Sequence, residues 1–315
     1  MSSTYISVTW NKPSEPTGDI IQYSVYVTNP AGTCVQHVQL CSGICAQPTE
    51  SCAVNRSGTF PDNQEHFMET ISGLLAYTQY TFTLYAYTAV GRGDGSSTAS
   101  TTNQSEPNQI KDVIKESITA TTITISFNEP KPCTGPIVLY EVRYIYLERI
   151  CNGGRSTGDV TTQYTNCTPS SGRTVCPIDN LYPYWNYSIS VRAYTSVGPG
   201  NWSDTLLQQT DQDKPSVINT TSLRPTLITA NNVTLEWSAP CPPNGVISHY
   251  VILWTTSSHI HTSDDSVSYT VAGLLPYRNY TYQVAAVTGA GIGNYTPVKN
   301  PYNVNRWYKL RSLFL

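Results

Sequence analysis

Leu274-Leu275-Pro276-Tyr277-Arg278-Asn279-Tyr280-Thr281-Tyr282-Gln283-Val284-Ala285-Ala286, followed by Gly291-Ile292-Gly293, occurs in this chain in three versions. The second runs from Leu181-Tyr182-Pro183-Tyr184-Trp185-Asn186-Tyr187 to Gly198-Pro199-Gly200, and the first from Leu74-Leu75-Ala76-Tyr77-Thr78-Gln79-Tyr80 to Gly91-Arg92-Gly93. In each, a tyrosine stands six residues after the leucine and eleven before the first glycine. From that tyrosine onward apolar and polar residues alternate: Tyr80, Phe82, Leu84 and Ala86, with Thr81 and Thr83 between them. Period-two alternation in β-branched and aromatic residues predicts a strand with one buried face. A tyrosine at the start of such a strand, behind a leucine-led turn, predicts a hydroxyl that reaches back to the backbone of the preceding loop.

Working outward, each copy is preceded by a strand that ends in a large aromatic: Ile6 to Trp10, Ile123 to Phe127, Val233 to Trp237. A glycine follows eight residues later (Gly18, Gly135, Gly245) and a tyrosine thirteen residues later (Tyr23, Tyr140, Tyr250). A period near 100 residues means tandem domains, since solenoid repeats are much shorter. The pattern resembles the fibronectin type III module over nearly the whole chain. It rests on the strand B aromatic, the Pro/Gly-rich loop, the strand C tyrosine, the tyrosine corner and the Gly-x-Gly turn. The resemblance implies an all-β chain of three seven-stranded immunoglobulin-like sandwiches. Phe127 in place of tryptophan and Ala76 in place of the corner proline are its two departures.

The expected modules are 1–105, 106–213 and 214–302, with an atypical tail at 303–315. Module 1 has nine residues before Trp10, against 20 and 22 from Pro107 and Pro215 to the corresponding aromatics, so its strand A is expected to be missing. Both ends read as cuts from a longer protein. The distance from strand B aromatic to corner tyrosine is 43 residues in module 3, 60 in module 2 and 70 in module 1. The surplus falls between strands C and E and carries most of the cysteines.

Nine cysteines and nine Asn-x-Ser/Thr sequons point to the secretory pathway. The sequons begin at Asn55, Asn103, Asn166, Asn186, Asn201, Asn219, Asn232, Asn279 and Asn294. Four cysteines in module 1 (Cys34, Cys41, Cys45, Cys52) and four in module 2 (Cys133, Cys151, Cys167, Cys176) predict two disulfides apiece, with three pairings open in each. Cross-links would order insertions too small to bury a core. The rival reading is a metal knuckle at Cys34, His37, Cys41 and Cys45, whose spacing matches no standard zinc motif. Cys241 is left over, for a partner outside the chain, another module, or a buried thiol.

Charged residues make up 12% of the chain and the net charge is −3, with no basic run, which argues against nucleic-acid binding. No apolar run approaches the roughly 18 residues of a membrane helix. No cofactor and no catalysis are expected, because the five histidines are scattered and no nucleophile, phosphate or carboxylate-pair motif appears. The candidate partner site is Arg92-Gly93-Asp94, in the loop between strands F and G. In fibronectin's own cell-binding module that loop displays an Arg-Gly-Asp to an integrin. The same slot holds Asn201 and Asn294 in modules 2 and 3, both sequon asparagines. Tyr85, Tyr87 and Tyr194 fall on the outward face of strand F. They would anchor a partner or cover the sheet through cross-strand pairs. The expected role is an extracellular adhesion or protein-recognition array. Two alternatives stand beside it. One is the ectodomain of a receptor-type tyrosine phosphatase, whose repeats, like those of usherin-like matrix proteins, the chain resembles. The other is a structural matrix spacer.

Overall fold

The structure, a computed structural model, describes residues 2–14, 16, 18–29, 52–57, 66–147, 160–170, 172–254, 258–262, 264–276 and 278–303. The cysteines and histidine expected at positions 34, 37, 41, 45 and 151, and the tail from residue 304, lie outside the described residues, as does the side chain of Cys52. All described elements are strands.

Module 1 comprises β1 (Tyr5–Asn11), β2 (Gln22–Thr28), β3 (Cys52–Ser57), β4 (His66–Ser72), β5 (Gln79–Thr88), β6 (Gly91–Arg92) and β7 (Ser96–Thr101). Module 2 comprises β8 (Ile114–Ile118), β9 (Ile123–Asn128), β10 (Leu139–Leu147), β11 (Val160–Cys167), β12 (Arg173–Ile178), β13 (Asn186–Tyr194) and β14 (Leu206–Gln209). In module 3 these are β15 (Arg224–Ile228), β16 (Val233–Glu236), β17 (His249–Trp254), β18 (Ser258–His261), β19 (Ser268–Val271), β20 (Asn279–Thr288), β21 (Gly291–Ile292) and β22 (Lys299–Asn303). Each module is a sandwich of two antiparallel sheets. In module 2 the order is β12-β9-β8 against β11-β10-β13-β14. Module 3 repeats this as β15-β16-β19 against β18-β17-β20, with β21 and β22 on β20. In module 1 the larger sheet is β3-β2-β5 with β6 and β7 on β5, and the smaller one is β1-β4 alone.

Alternation sends one side of every strand into the space between the sheets. The strand B aromatic meets the strand C tyrosine there in all three modules. Trp10 and Tyr23 have centroids 5.5 Å apart, Phe127 and Tyr140 4.9 Å, and Trp237 and Tyr250 5.1 Å. Phe127 therefore fills the tryptophan's place with the same contact and is 1% exposed. Burying a ring of this size stabilises a module by about 2 kcal/mol. The three corner tyrosines behave alike. The backbone N–H groups of Leu75, Tyr182 and Leu275 donate to the hydroxyls of Tyr80, Tyr187 and Tyr280 at 2.8, 2.7 and 2.8 Å. Ala76 leaves this bond intact in module 1.

Cys167, at the end of β11, and Cys176, in β12, form a disulfide with Cα atoms 5.9 Å apart. It joins the two sheets of module 2 across their edge, and both cysteines are buried. Cys133 departs from the expectation of two disulfides: its thiol is exposed and free. It lies in the loop between β9 and β10. Cys241, left over in the sequence count, is disulfide-bonded.

The two connections between modules follow one hydrogen-bond scheme. Tyr77 N–H donates to the Asn103 carbonyl and Tyr184 N–H to the Asp211 carbonyl, each at 3.0 Å, tying the connection to the module before it. Ser105 N–H donates to the Thr134 carbonyl at 2.9 Å and Asp213 N–H to the Asn244 carbonyl at 2.8 Å. The hydroxyls of Thr195 and Thr288 then donate to the carbonyls of Ser105 and Asp213, at 2.9 and 2.8 Å. Backbone groups that would otherwise need water are satisfied by both neighbours.

Candidate partner-binding faces

The outward faces of the larger sheets in modules 1 and 2 carry the candidate residues. In module 1, Tyr85 and Tyr87 on β5 stand beside Tyr26 on β2, and Arg92 on β6 pairs with Tyr87 in register. The Arg92 guanidinium lies over the Tyr85 ring, 4.4 Å from its centroid. Tyr26 meets Tyr85 edge-on at 5.4 Å. Beneath, Tyr85 packs on Gly95, where a Cβ would stand 2.5 Å from the ring. A hydrogen bond from Tyr26 pulls the Tyr87 hydroxyl below the usual tyrosine range, and its partner Tyr26 is raised by the same bond.

The Arg92-Gly93-Asp94 loop is short. Residues 89 and 90 alone separate β5 from β6, and Gly93 N–H donates to the Ala86 carbonyl at 2.9 Å. The arginine is thereby laid on the sheet face. Asp94 is exposed. Sequence reasoning treated the loop and the tyrosines as separate candidates; the structure brings Arg92, Tyr85 and Tyr87 into one cluster.

In module 2 the corresponding face holds a longer stack. Trp202, in the segment between β13 and β14, lies between two guanidinium groups: Arg143 at 4.5 Å and Arg192 at 4.4 Å from the ring. Tyr164 on β11 adds a tilted contact at 6.4 Å. Glu141 on β10 accepts from Arg192 Nε at 2.7 Å and from the Tyr194 hydroxyl at 3.0 Å. Burial and the adjoining Glu141 carboxylate push the Tyr194 hydroxyl up. The Arg143 Nε is buried without a hydrogen-bond partner. Of this group only Tyr194 was named from sequence. Glu141 and Arg143 were within reach, because Tyr140 faces inward and alternation turns 141 and 143 together to the outward face. Trp202 was not, since it lies outside any alternating strand.

Seven sequon asparagines are exposed: Asn103, Asn166, Asn186, Asn201, Asn219, Asn279 and Asn294. Asn232 is half-buried, and the side chain of Asn55 lies outside the described residues. Among the described residues no group of His, Cys, Asp or Glu has metal-binding geometry, and no helix is long and apolar enough to cross a membrane.

This is the architecture of an all-β binding module. The fibronectin type III domain family matches residues 1–103, 107–209 and 219–300, and the chain belongs to that family. Among curated relatives, the rat phosphatidylinositol phosphatase PTPRQ is 26% identical over 93% of this chain, and the chicken cell adhesion molecule DSCAML1 is 29% identical over 93%. Human usherin is 27% identical over 70%. The chain spans 11%, 14% and 4% of these relatives' own lengths. A solved structure of chicken CNTN1 FN1-FN3 domains aligns over 96% of the chain with 18% identity and a TM-score of 0.44.

Proposed function

We propose that this chain is part of an extracellular adhesion or protein-recognition array, and that it grips a protein partner through the outward face of module 2. One observation carries the reading: Trp202 stacked with both Arg143 and Arg192, with Tyr164 against the ring and Tyr194 against Arg192. Tryptophan, tyrosine and arginine are the residues that dominate protein interfaces, and here their rotamers are fixed in advance. The sequons and the Cys167–Cys176 bridge support an oxidising, extracellular address. The kinship with DSCAML1 and PTPRQ is compatible with either an adhesion molecule or a receptor phosphatase ectodomain, the modules themselves being non-catalytic. The test is attachment of cells to surfaces coated with the chain. Trp202→Ala and Arg192→Glu are expected to lower attachment severalfold while module 2 stays folded by circular dichroism. Attachment equal to that of the parent chain would sink the reading.

A second reading, integrin recognition by Arg92-Gly93-Asp94, is favoured by the exposure of Asp94 alone. It requires Arg92 to leave Tyr85. It predicts loss of divalent-cation-dependent attachment in Asp94→Glu with Trp202→Ala neutral.

A further inference from the structure

One sequon differs from the other eight in its middle residue. Asn166-Cys167-Thr168 holds a cysteine there, and that cysteine is bonded to Cys176. The tripeptide ends β11, the edge strand of the larger sheet of module 2. Cys167 stands opposite Tyr140 and is buried with it. Asn166 stands opposite Glu141 and is exposed on the outward face. Glu141 is in turn opposite Arg192, the arginine stacked on Trp202. Cross-strand neighbours lie about 5 Å apart, and alternate residues of one strand roughly 7 Å apart. Asn166 is therefore beside Glu141 and one outward position along β11 from Tyr164, which contacts the Trp202 ring. A branched, hydrated oligosaccharide on Asn166 occupies the space in which a partner must seat on that ring.

Two reactions compete for this tripeptide during synthesis. In the first, the Asn166 Nδ2 attacks the anomeric carbon of a lipid-pyrophosphate-linked oligosaccharide. The carbon–oxygen bond to the pyrophosphate breaks, a carbon–nitrogen bond forms, the amide loses one proton, and the lipid pyrophosphate leaves. The transferase must hold Asn166 and the Thr168 hydroxyl in its own site, so the tripeptide must be free of the sheet. In the second, the thiols of Cys167 and Cys176 give two electrons and two protons to the disulfide of an oxidoreductase, which becomes a dithiol. That bond fastens the middle of the sequon to the core and keeps the strand from leaving. Cys176 follows nine residues behind Cys167. At roughly 5–20 residues per second it is made within about 2 s. Disulfide formation takes seconds or longer, so neither reaction runs far ahead of the other. Asn166 points away from the core, so a chain glycosylated first can still close the bond and fold.

We infer that closure of Cys167–Cys176 sets the glycan occupancy of Asn166, and that this glycan gates the Trp202 face. Chains that close the bond early present a bare face. Chains glycosylated first present a covered one. The gating half rests on the reading of the module 2 face given above; the occupancy half does not.

The experiment directs the 315-residue chain into the secretory pathway of cultured mammalian cells behind a leader peptide. Occupancy of each sequon is read by mass spectrometry on the intracellular chain, so a variant that the cell retains is still counted. Cys176→Ala removes the bond and leaves the acceptor tripeptide unchanged. It is expected to raise occupancy at Asn166 about twofold or more, as is a pulse of dithiothreitol given to the parent. Asn186 and Asn201, sequons of the same module without a cysteine, are expected to stay as they were. Unchanged occupancy at Asn166, or an equal rise at Asn186, would overturn the coupling. Gating is read on parent and Asn166→Gln chains that were both pulsed and then left to re-form the bond. Asn166→Gln is expected to attach cells severalfold better, and Trp202→Ala to abolish that gain. Equal attachment by the two pulsed chains overturns the gate if Trp202→Ala lowers both. Attachment indifferent to either substitution sinks the module 2 reading and the gate with it, while the occupancy result stands or falls by itself.

Discussion

Modules 1 and 2 build the same face by opposite means. In module 2 the central ring, Trp202, comes from the segment after the F–G turn, and the guanidiniums of Arg143 and Arg192 rise from the sheet on either side of it. In module 1 the positions matching Arg143 and Arg192 are Tyr26 and Tyr85, and the position matching Trp202 is Gly95. The rings rise from the sheet, the turn contributes the charge as Arg92, and the glycine makes room for Tyr85. Cation and ring have exchanged strands. The comparison shows that the conserved quantity is the stacked pair, a guanidinium over an aromatic face, while the strand that supplies either half is free to change.

The strongest way to break the symmetry is Trp202→Ala. It removes a half-buried ring and two cation–π contacts together, and is expected to destabilise module 2 by about 3 kcal/mol, read as a lowered midpoint in urea. Arg92→Ala, which removes one contact at an exposed site, is expected to cost module 1 under about 1 kcal/mol. Gly95→Ala tests the other half of the exchange. Its methyl displaces the Tyr85 ring at an expected cost of about 1–2 kcal/mol to module 1, with a shift in the Tyr85 ring resonances. Glu141→Gln loses the carboxylate held by Arg192 and Tyr194. Both partners of the ion pair remain a fifth to a quarter exposed, so about 1 kcal/mol is expected.

The smallest effect is the most diagnostic. Tyr87 and Tyr194 occupy matching positions yet shift in opposite directions. Tyr87, lowered by the bond from Tyr26, is expected to ionise below the usual value near 10. Its contribution to stability appears as pH rises through its folded value. Tyr194, raised by burial and by Glu141, is neutral where a free tyrosine has ionised. Its contribution is full below the usual value and is lost as pH rises through the folded one. Ring-labelled NMR titration reads both. Identical midpoints would mean the two faces are electrostatically equivalent. Deeper in module 2, burial pushes Tyr140 and Tyr187 up to about 12, so this module is expected to lose stability from about pH 10 to about pH 12.

Much of the fold was legible because its determinants are local. The corner tyrosines, the alternation after them and the aromatic eight residues before a glycine are short-range spacings that translate directly into strand faces and turns. The disulfide was not legible. Which two of four cysteines meet depends on where β11 and β12 lie in space, and Cys133, equally eligible by count, remains a free thiol in the loop between β9 and β10. The repeat of Gln104, Pro107 and Ile110 as Gln212, Pro215 and Ile218, at the same spacing ahead of modules 2 and 3, was overlooked for a simpler reason. Measured from the core aromatic it is out of step, 20 residues in one module and 22 in the other, because module 3 has two more residues before its first strand. Aligned on the proline it is in register. Tyr85, Tyr87 and Tyr194 were legible by alternation, but the stacking of Arg92 on Tyr85 and of Arg192 on Tyr194 was not. Guanidinium–ring stacking depends on side-chain rotamers, which alternation does not specify.

The Cys167–Cys176 bridge has a mechanical consequence. Its two ends are nine positions apart in sequence. Were module 2 drawn out by tension on its termini, the residues between the two sulfurs would stay looped behind the covalent bond. At about 3.3–3.6 Å per extended residue, the unravelled module falls short of its full contour by roughly 25 Å. Modules 2 and 3 would then lengthen by distinguishable steps under a pulling probe, and a reductant in the bath would restore the missing increment to module 2.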